Sequence, residues 1–276
     1  MSESTPRLET QLRSFFALKS IPFSKDLEPH RLFKSAAFHD ALDRLRYLID
    51  RGGTGAIYGT PGSGKSTLLR HFLDSLGRAT HAVCYVDLAT CATLDLYRLI
   101  ARGFQIEPGY RKADVFLGIK ERVLKLSRVQ KLRVLLVIDD AHLLPRQFLD
   151  ELRLLTSFDQ DSRDDLSLLI AGHPQLESNL RLAVNEALAQ RIVVRVRLRS
   201  LHPEEVEEYL SFRLSLAGRT AKLFLPEAVE AVARASRGVP RLIDRVAEHC
   251  LLIAYKGKKK EIDSEIVTEA VDEVEP

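Results

Sequence analysis

The sequence predicts an α/β fold: a parallel five-stranded sheet with helices on both faces, followed by a smaller unit built of helices alone. Three observations predict it. Short apolar runs alternate with helical patterns through the middle of the chain, one run is almost unbroken apolar, and only helical patterns remain beyond about Ser200. Alternation of this kind requires crossover connections, and those make the strands parallel and cover both faces of the sheet.

Each element follows from its residues. Phe38, Leu42, Leu45 and Leu48 recur at helical spacing and predict a helix from about Ala37 to Asp50. The strand runs are Gly55–Tyr58, Ala82–Asp87, Leu132–Asp139, Leu166–Ala171 and Ile192–Leu198. Between them lie helical stretches at Lys65–Leu76, Thr93–Gly103, Lys112–Gln130, Arg146–Phe158 and Gln175–Leu188. Leu132–Asp139 reads as the central strand, because a strand buried on both faces loses the polar alternation of a half-exposed one. The last helices are expected at Pro203–Ala217, Pro226–Arg237, Pro240–Lys256 and Asp263–Val274. Three of them open on proline, whose missing N–H is harmless in a first turn. The expected division is therefore 1–53 as a tail and helix leading into the core, 54–200 as the sheet domain, and 201–276 as a helical lid.

Composition narrows the class. Of 276 residues 45% are apolar, enough for a sizeable core, so disorder is excluded. No apolar run approaches the roughly 18–20 residues of a spanning helix, and the first ten residues carry no secretory pattern. Cys84, Cys91 and Cys250 form no CxxC pair. These features predict a soluble cytoplasmic protein. A net charge of +3 does not by itself indicate a nucleic-acid partner.

Gly59-Thr60-Pro61-Gly62-Ser63-Gly64-Lys65-Ser66 satisfies G-x-x-x-x-G-K-[ST] in full, after an expected strand and at the start of an expected helix. Glycines let successive backbone N–H groups face a phosphate, and the helix aims its positive end at the same anion. Lys65 would neutralise the β- and γ-phosphates, Ser66 would ligate Mg2+, and Thr67 follows in the same turn. The alternative, a chance glycine-rich turn, does not account for the strand–loop–helix context. Asp139 and Asp140 end the central strand, at the sheet edge where α/β proteins bind ligands. Asp139 would hold Mg2+ and Asp140 would polarise the attacking water as general base; capping of the next helix is the competing role. The eight histidines show no zinc-binding spacing, and no GxSxG is present.

The set of motifs resembles the AAA+ ATPases of the general secretion pathway protein A (ExeA-like) family, related to transposition ATPases of the TnsC and IstB type. The resemblance runs from about Phe15 to Ala270. It rests on Phe16–Phe23 (FALKSIPF), the phosphate loop, Asp139–Leu144 (DDAHLL), Leu152–Phe158 (LRLLTSF), Glu186–Ile192 (EALAQRI) and Gly238–Arg241 (GVPR). It implies ATP with Mg2+, and a homo-oligomer, ring or helical filament, in which one subunit completes its neighbour's pocket. Arg191 matches the arginine finger, Arg241 the sensor-2 arginine of the lid, and His173 the sensor-1 position. Relatives carry Asp-Glu where this chain has Asp139-Asp140. A carboxylate one methylene short predicts slow hydrolysis, since a misplacement of about an ångström can cost about 10²-fold.

The resemblance implies three possible clients. One is a transposase recruited to duplex DNA, the second a secretion or envelope complex, the third a protein remodelled without DNA. Arg195, Arg197 and Arg199 on one strand face, the Lys256, Lys258, Lys259 and Lys260 cluster, Arg111-Lys112 and the Lys120–Arg133 stretch could meet DNA phosphates without reading bases. For each, a solvated surface is the simpler explanation. Secretion-type members carry a membrane helix and a wall-binding region after the ATPase. The sequence reaches Pro276 with neither, and this is expected to weigh against the secretion client and for transposition.

Overall fold

The computed structural model describes residues 8–24, 31–87, 92–144, 146–159 and 164–274; Cys91 lies outside them. The chain forms two compact units. One comprises residues 36–61 and 65–198; the other comprises the chain up to Ser35, Gly62–Gly64 and residues from Arg199 on.

The first unit is the sheet. Its elements run α2 (Ala36–Arg51), β1 (Thr54–Tyr58), α3 (Lys65–Asp74), β2 (His81–Asp87), α4 (Thr93–Gly103), α5 (Lys112–Leu124), β3 (Arg133–Asp139), α6 (Arg146–Thr156), β4 (Ser167–Gly172), α7 (Pro174–Leu180), α8 (Glu186–Ala189) and β5 (Ile192–Arg197). The strands are all parallel in the order β2-β3-β4-β1-β5. Residue parity explains how both faces are buried. Val134, Leu136 and Ile138 share a cluster with Leu168 and Ile170, with Leu96 and Ile100 of α4, and with Ile119 of α5. Leu135 and Val137 point the other way and are equally buried. On that second face α2 comes so close that a Cβ at Gly55 would stand 2.5 Å from Leu48.

Two expected helices differ in detail. The Lys112–Gln130 stretch is α-helical to Leu124 and closes on a wider π turn, Lys125–Val129. The Gln175–Leu188 stretch is broken into α7, a 3-10 turn at Ala183–Asn185 and α8. The cause is Asn185, fully buried, whose Nδ2 donates to the Asn179 carbonyl at 2.8 Å and so competes with the helical ladder.

The second unit holds α1 (Leu8–Phe16), α9 (Pro203–Leu216), α10 (Pro226–Ser236), α11 (Pro240–Lys256) and α12 (Ser264–Val274). The first 53 residues do not form one lead-in segment: Leu12, Phe16, Leu18 and Phe23 enter the core of this helical unit, whereas α2 belongs to the sheet. The reason is a buried cation. Arg213, 1% exposed, donates to the carbonyls of Pro22 at 2.7 Å and Ser24 at 2.8 Å, and pairs with Asp244 at 3.1 Å. No helix among the described residues is long and apolar enough to cross a membrane.

Candidate functional site

The strand order builds the site. With β4 between β1 and β3, three consecutive strand ends lie side by side at the C-terminal edge of the sheet. They deliver the glycine loop after Tyr58, Asp139 at the end of β3, and His173 just after β4. Gly59 N–H donates to Gly172 O at 3.2 Å, extending the β1–β4 pairing into the loop itself.

Within the loop Gly62 and Gly64 have φ of +82° and +94°, conformations that side chains resist. A Cβ at Gly64 would meet nothing within 4 Å, so its glycine is required by backbone conformation and not by crowding. Ser63 is buried with its Oγ unpartnered. Lys65 is only 6% exposed, and its Nζ donates to the carbonyls of Gly59 at 2.9 Å and Thr60 at 3.2 Å. The loop folds its lysine back beneath its own backbone, and α3 starts at that residue. Ser66 and Thr67 occupy its first turn, where backbone N–H groups have no helical acceptor.

Asp139 is 3% exposed and continues the Leu135/Val137 face of β3. Its Oδ2 accepts from Ser66 Oγ at 3.0 Å and from the Tyr85 hydroxyl at 2.9 Å, and its Oδ1 accepts from Asp140 N–H at 2.9 Å. Tyr85 was not legible as a site residue, because its place depends on β2 pairing beside β3 in register, Tyr85 opposite Val137. Burial, and then the Asp139 charge, push its phenol well above the usual range, so it remains a donor. Asp140 is left-handed at φ 50°, and its carboxylate turns out toward solvent, 41% exposed. Its Oδ1 lies 3.7 Å from His142 Nδ1. The rings of His142 and His173 stack at 3.8 Å. Burial, then the neighbouring His142 and Lys65, hold His173 below the usual histidine range, so it is neutral at pH 7.

A buried cation within the loop, an unpartnered loop hydroxyl and a hard oxygen pair, Ser66 and Asp139, fit a phosphate chain carrying Mg2+. Comparison with known proteins points the same way. Residues 49–180 match the family described as AAA domain. Over 257 residues the chain is 34% identical to general secretion pathway protein A of Aeromonas hydrophila, covering 91% of this chain and 46% of that protein. The chain carries an AAA domain over residues 49–180. It spans about half the length of the curated relative it matches, so ending at Pro276 does not weigh against a secretion client as the sequence reading expected. Among solved structures it is similar to Cdc6p of Pyrobaculum aerophilum, at TM-score 0.69 and 20% identity over 92% of this chain and 70% of that one. The Aeropyrum pernix ORC1 protein in complex with DNA gives TM-score 0.60 at 19% identity, covering 92% and 69%. The RuvB Holliday junction branch migration motor of Thermotoga maritima gives 0.53 at 18%, covering 89% and 73%. At these identities the likeness shows the fold alone.

The remaining residues expected to serve this AAA+ site are placed as follows. Arg191 precedes β5, and Thr54, the first residue of β1, pairs with Ile192. It therefore stands at the N-terminal edge of the sheet, the far end of a five-residue strand from its own phosphate loop, about 16 Å away. There its Nη1 donates to Ser157 Oγ at 3.0 Å. Arg241, in the helical unit, is the second residue of α11, and its backbone N–H meets Gly62 O at 3.4 Å.

The basic clusters are largely engaged within the fold. Arg195 donates to Ala189 O at 2.7 Å and Arg197 pairs with Glu177, whose carboxyl it holds low. Arg128 bonds Asp159 and Asp165, and Arg133 bonds Asp50. Lys112 pairs with Glu151, and Lys259 with Asp263. Lys260 donates to Phe15 O at 2.6 Å and sits over the Phe15 ring.

Proposed function

We propose that the protein binds and hydrolyses ATP with Mg2+ and acts as an oligomeric switch, each pocket completed by Arg191 of a neighbouring copy. The observation that carries this reading is Asp139 held by Ser66 and Tyr85 at the mouth of the glycine loop. Mg2+, carried in with the nucleotide, would screen the phosphate charge. Gly62, Ser63 and Gly64 present backbone donors to the phosphates within the Gly59–Gly64 loop, with Lys65 as their counter-charge. Ser66 and Asp139 hold the ion. Asp140 accepts the proton of the attacking water, and His173 between them fixes the γ-phosphate end. Arg241, whose backbone N–H meets Gly62 O, is the sensor-2 arginine of this reading.

The client has two readings. Identity to general secretion pathway protein A favours a secretion or envelope complex. The resemblance to transposition ATPases favours an accessory protein that coats duplex DNA and recruits a transposase. That structures of similar fold are bound to DNA supports that second client, and the internal pairing of the basic clusters weighs against it. Electron microscopy with a non-hydrolysable ATP analogue, with and without duplex DNA, separates them. Assembly that requires DNA and weakens steeply with salt supports the DNA reading, whereas assembly indifferent to DNA supports the protein client.

A further inference from the structure

Beside the Mg2+ position lies a second set of metal-ligating side chains that hydrolysis does not require as a set. The ligating atoms of Asp140, His142 and His173 all lie within 4.8 Å of one another. Two local features bring them there. The left-handed Asp140 turns the chain sharply into one tight 3-10 turn, Ala141–Leu143, which carries His142. Gly172 then allows β4 to end against this turn: a Cβ at that position would stand 3.1 Å from His142 N. His173 is thereby brought over the His142 ring.

The donor set differs in kind from that of Ser66 and Asp139. Two imidazoles and one carboxylate suit a borderline divalent ion better than Mg2+, which prefers oxygen. His142 Nδ1 is shut off from solvent and has no hydrogen-bond partner, although a buried ring nitrogen ordinarily finds one. It stands 3.7 Å from Asp140 Oδ1, too far for a hydrogen bond and in the range of two ligands sharing one ion. Water or a nucleotide oxygen can complete a tetrahedron on the exposed side, where Asp140 is open. Ligation needs one adjustment, because stacked rings aim their nitrogens nearly parallel; a turn of His173 about its side-chain bonds makes the two converge.

We infer that Asp140, His142 and His173 form a binding site for a borderline divalent transition metal of the Zn2+ class, distinct from the Mg2+ position. Occupancy withdraws Asp140 from water. If Asp140 serves as base, as proposed above, zinc then acts as a brake on turnover; the binding itself does not depend on that reading.

The test is Zn2+ affinity of the nucleotide-free full chain, measured by competition with a chromophoric chelator, in the wild type and in His142→Ala, His173→Asn and Asp140→Asn. One equivalent should bind to the wild type, and each histidine substitution should weaken it by about 100-fold or more. Asp140→Asn should weaken it less, since the amide oxygen remains a poor ligand. Co2+ in place of zinc should give the visible absorption of a four-coordinate site in the wild type alone. Circular dichroism and melting curves confirm that the variants are folded. Absence of stoichiometric binding, or affinity unchanged in both histidine variants, overturns the inference whatever the ATPase does.

Discussion

Replacing Arg191 by alanine separates action on the chain's own pocket from action on a neighbour's. Arg191 and its own phosphate loop stand at opposite ends of a five-residue strand, about 16 Å apart. At that distance a unit charge is worth about 0.3 kcal/mol in water and about 1 kcal/mol at an effective dielectric of 20. Loss of the charge within one chain therefore changes turnover by no more than about five-fold. A guanidinium that reaches the transferring phosphoryl group from an adjoining copy is worth about 10³–10⁵ in rate. The two cases differ by orders of magnitude, so the measurement decides between them. The structural cost includes the 3.0 Å bond to Ser157, worth about 1 kcal/mol. We expect Arg191→Ala to melt within a few degrees of the wild type and bind ATP nearly as well, while hydrolysing it at least 10³-fold more slowly. Mixing it with Lys65→Ala should restore activity, since one variant keeps the loop and the other keeps the arginine. Turnover within five-fold of the wild type, or no recovery on mixing, would refute the shared pocket.

The other predictions concern the loop, the acid and the helical unit. Lys65→Ala should weaken nucleotide binding by about 10- to 100-fold or more, the worth of one or two charge-assisted hydrogen bonds, as read by fluorescent nucleotide titration; unchanged affinity would reject the cradle. Asp140→Glu should speed hydrolysis by up to about 10²-fold and Asp140→Asn should suppress it; if neither alters turnover, Asp140 has no part in the chemistry. Arg213→Ala removes the cation paired with Asp244, which keeps the Tyr209 hydroxyl, and leaves two carbonyls without their donor, a loss of about 3–5 kcal/mol that should lower the melting midpoint by about 6–20 °C. Burial raises the Asp244 carboxyl to about 6. The folded chain therefore holds this proton more tightly than the unfolded one, and the contribution is present at low pH and lost as pH rises through 6. The melting difference between wild type and Asp244→Asn should shift toward the wild type between pH 7 and pH 5, and a pH-independent difference would contradict the assignment.

How much of this was legible beforehand depends on how local the signal is. The glycine loop, the five strand runs and the proline-led helices each occupy a short stretch, and backbone chemistry within that stretch fixes them. The break at Asn185 was not legible, because helical spacing continues through it and only burial makes its amide seek the Asn179 carbonyl. Nor was the attachment of residues 8–24: their phenylalanines could have packed on either core until Arg213, nearly two hundred residues later, bonded Pro22 and Ser24.

The sequence alone determined that a phosphate cradle is present, which lysine and which acid accompany it, and that a parallel sheet carries them. Those features follow from residue type and spacing. Tertiary structure decided what surrounds them. Strand order set β4 between β1 and β3 and so placed His173 beside Asp140, and strand register carried the Tyr85 hydroxyl to Asp139. Pairings between strands distant in the chain obey hydrophobic burial on both faces, and local spacing does not encode that constraint.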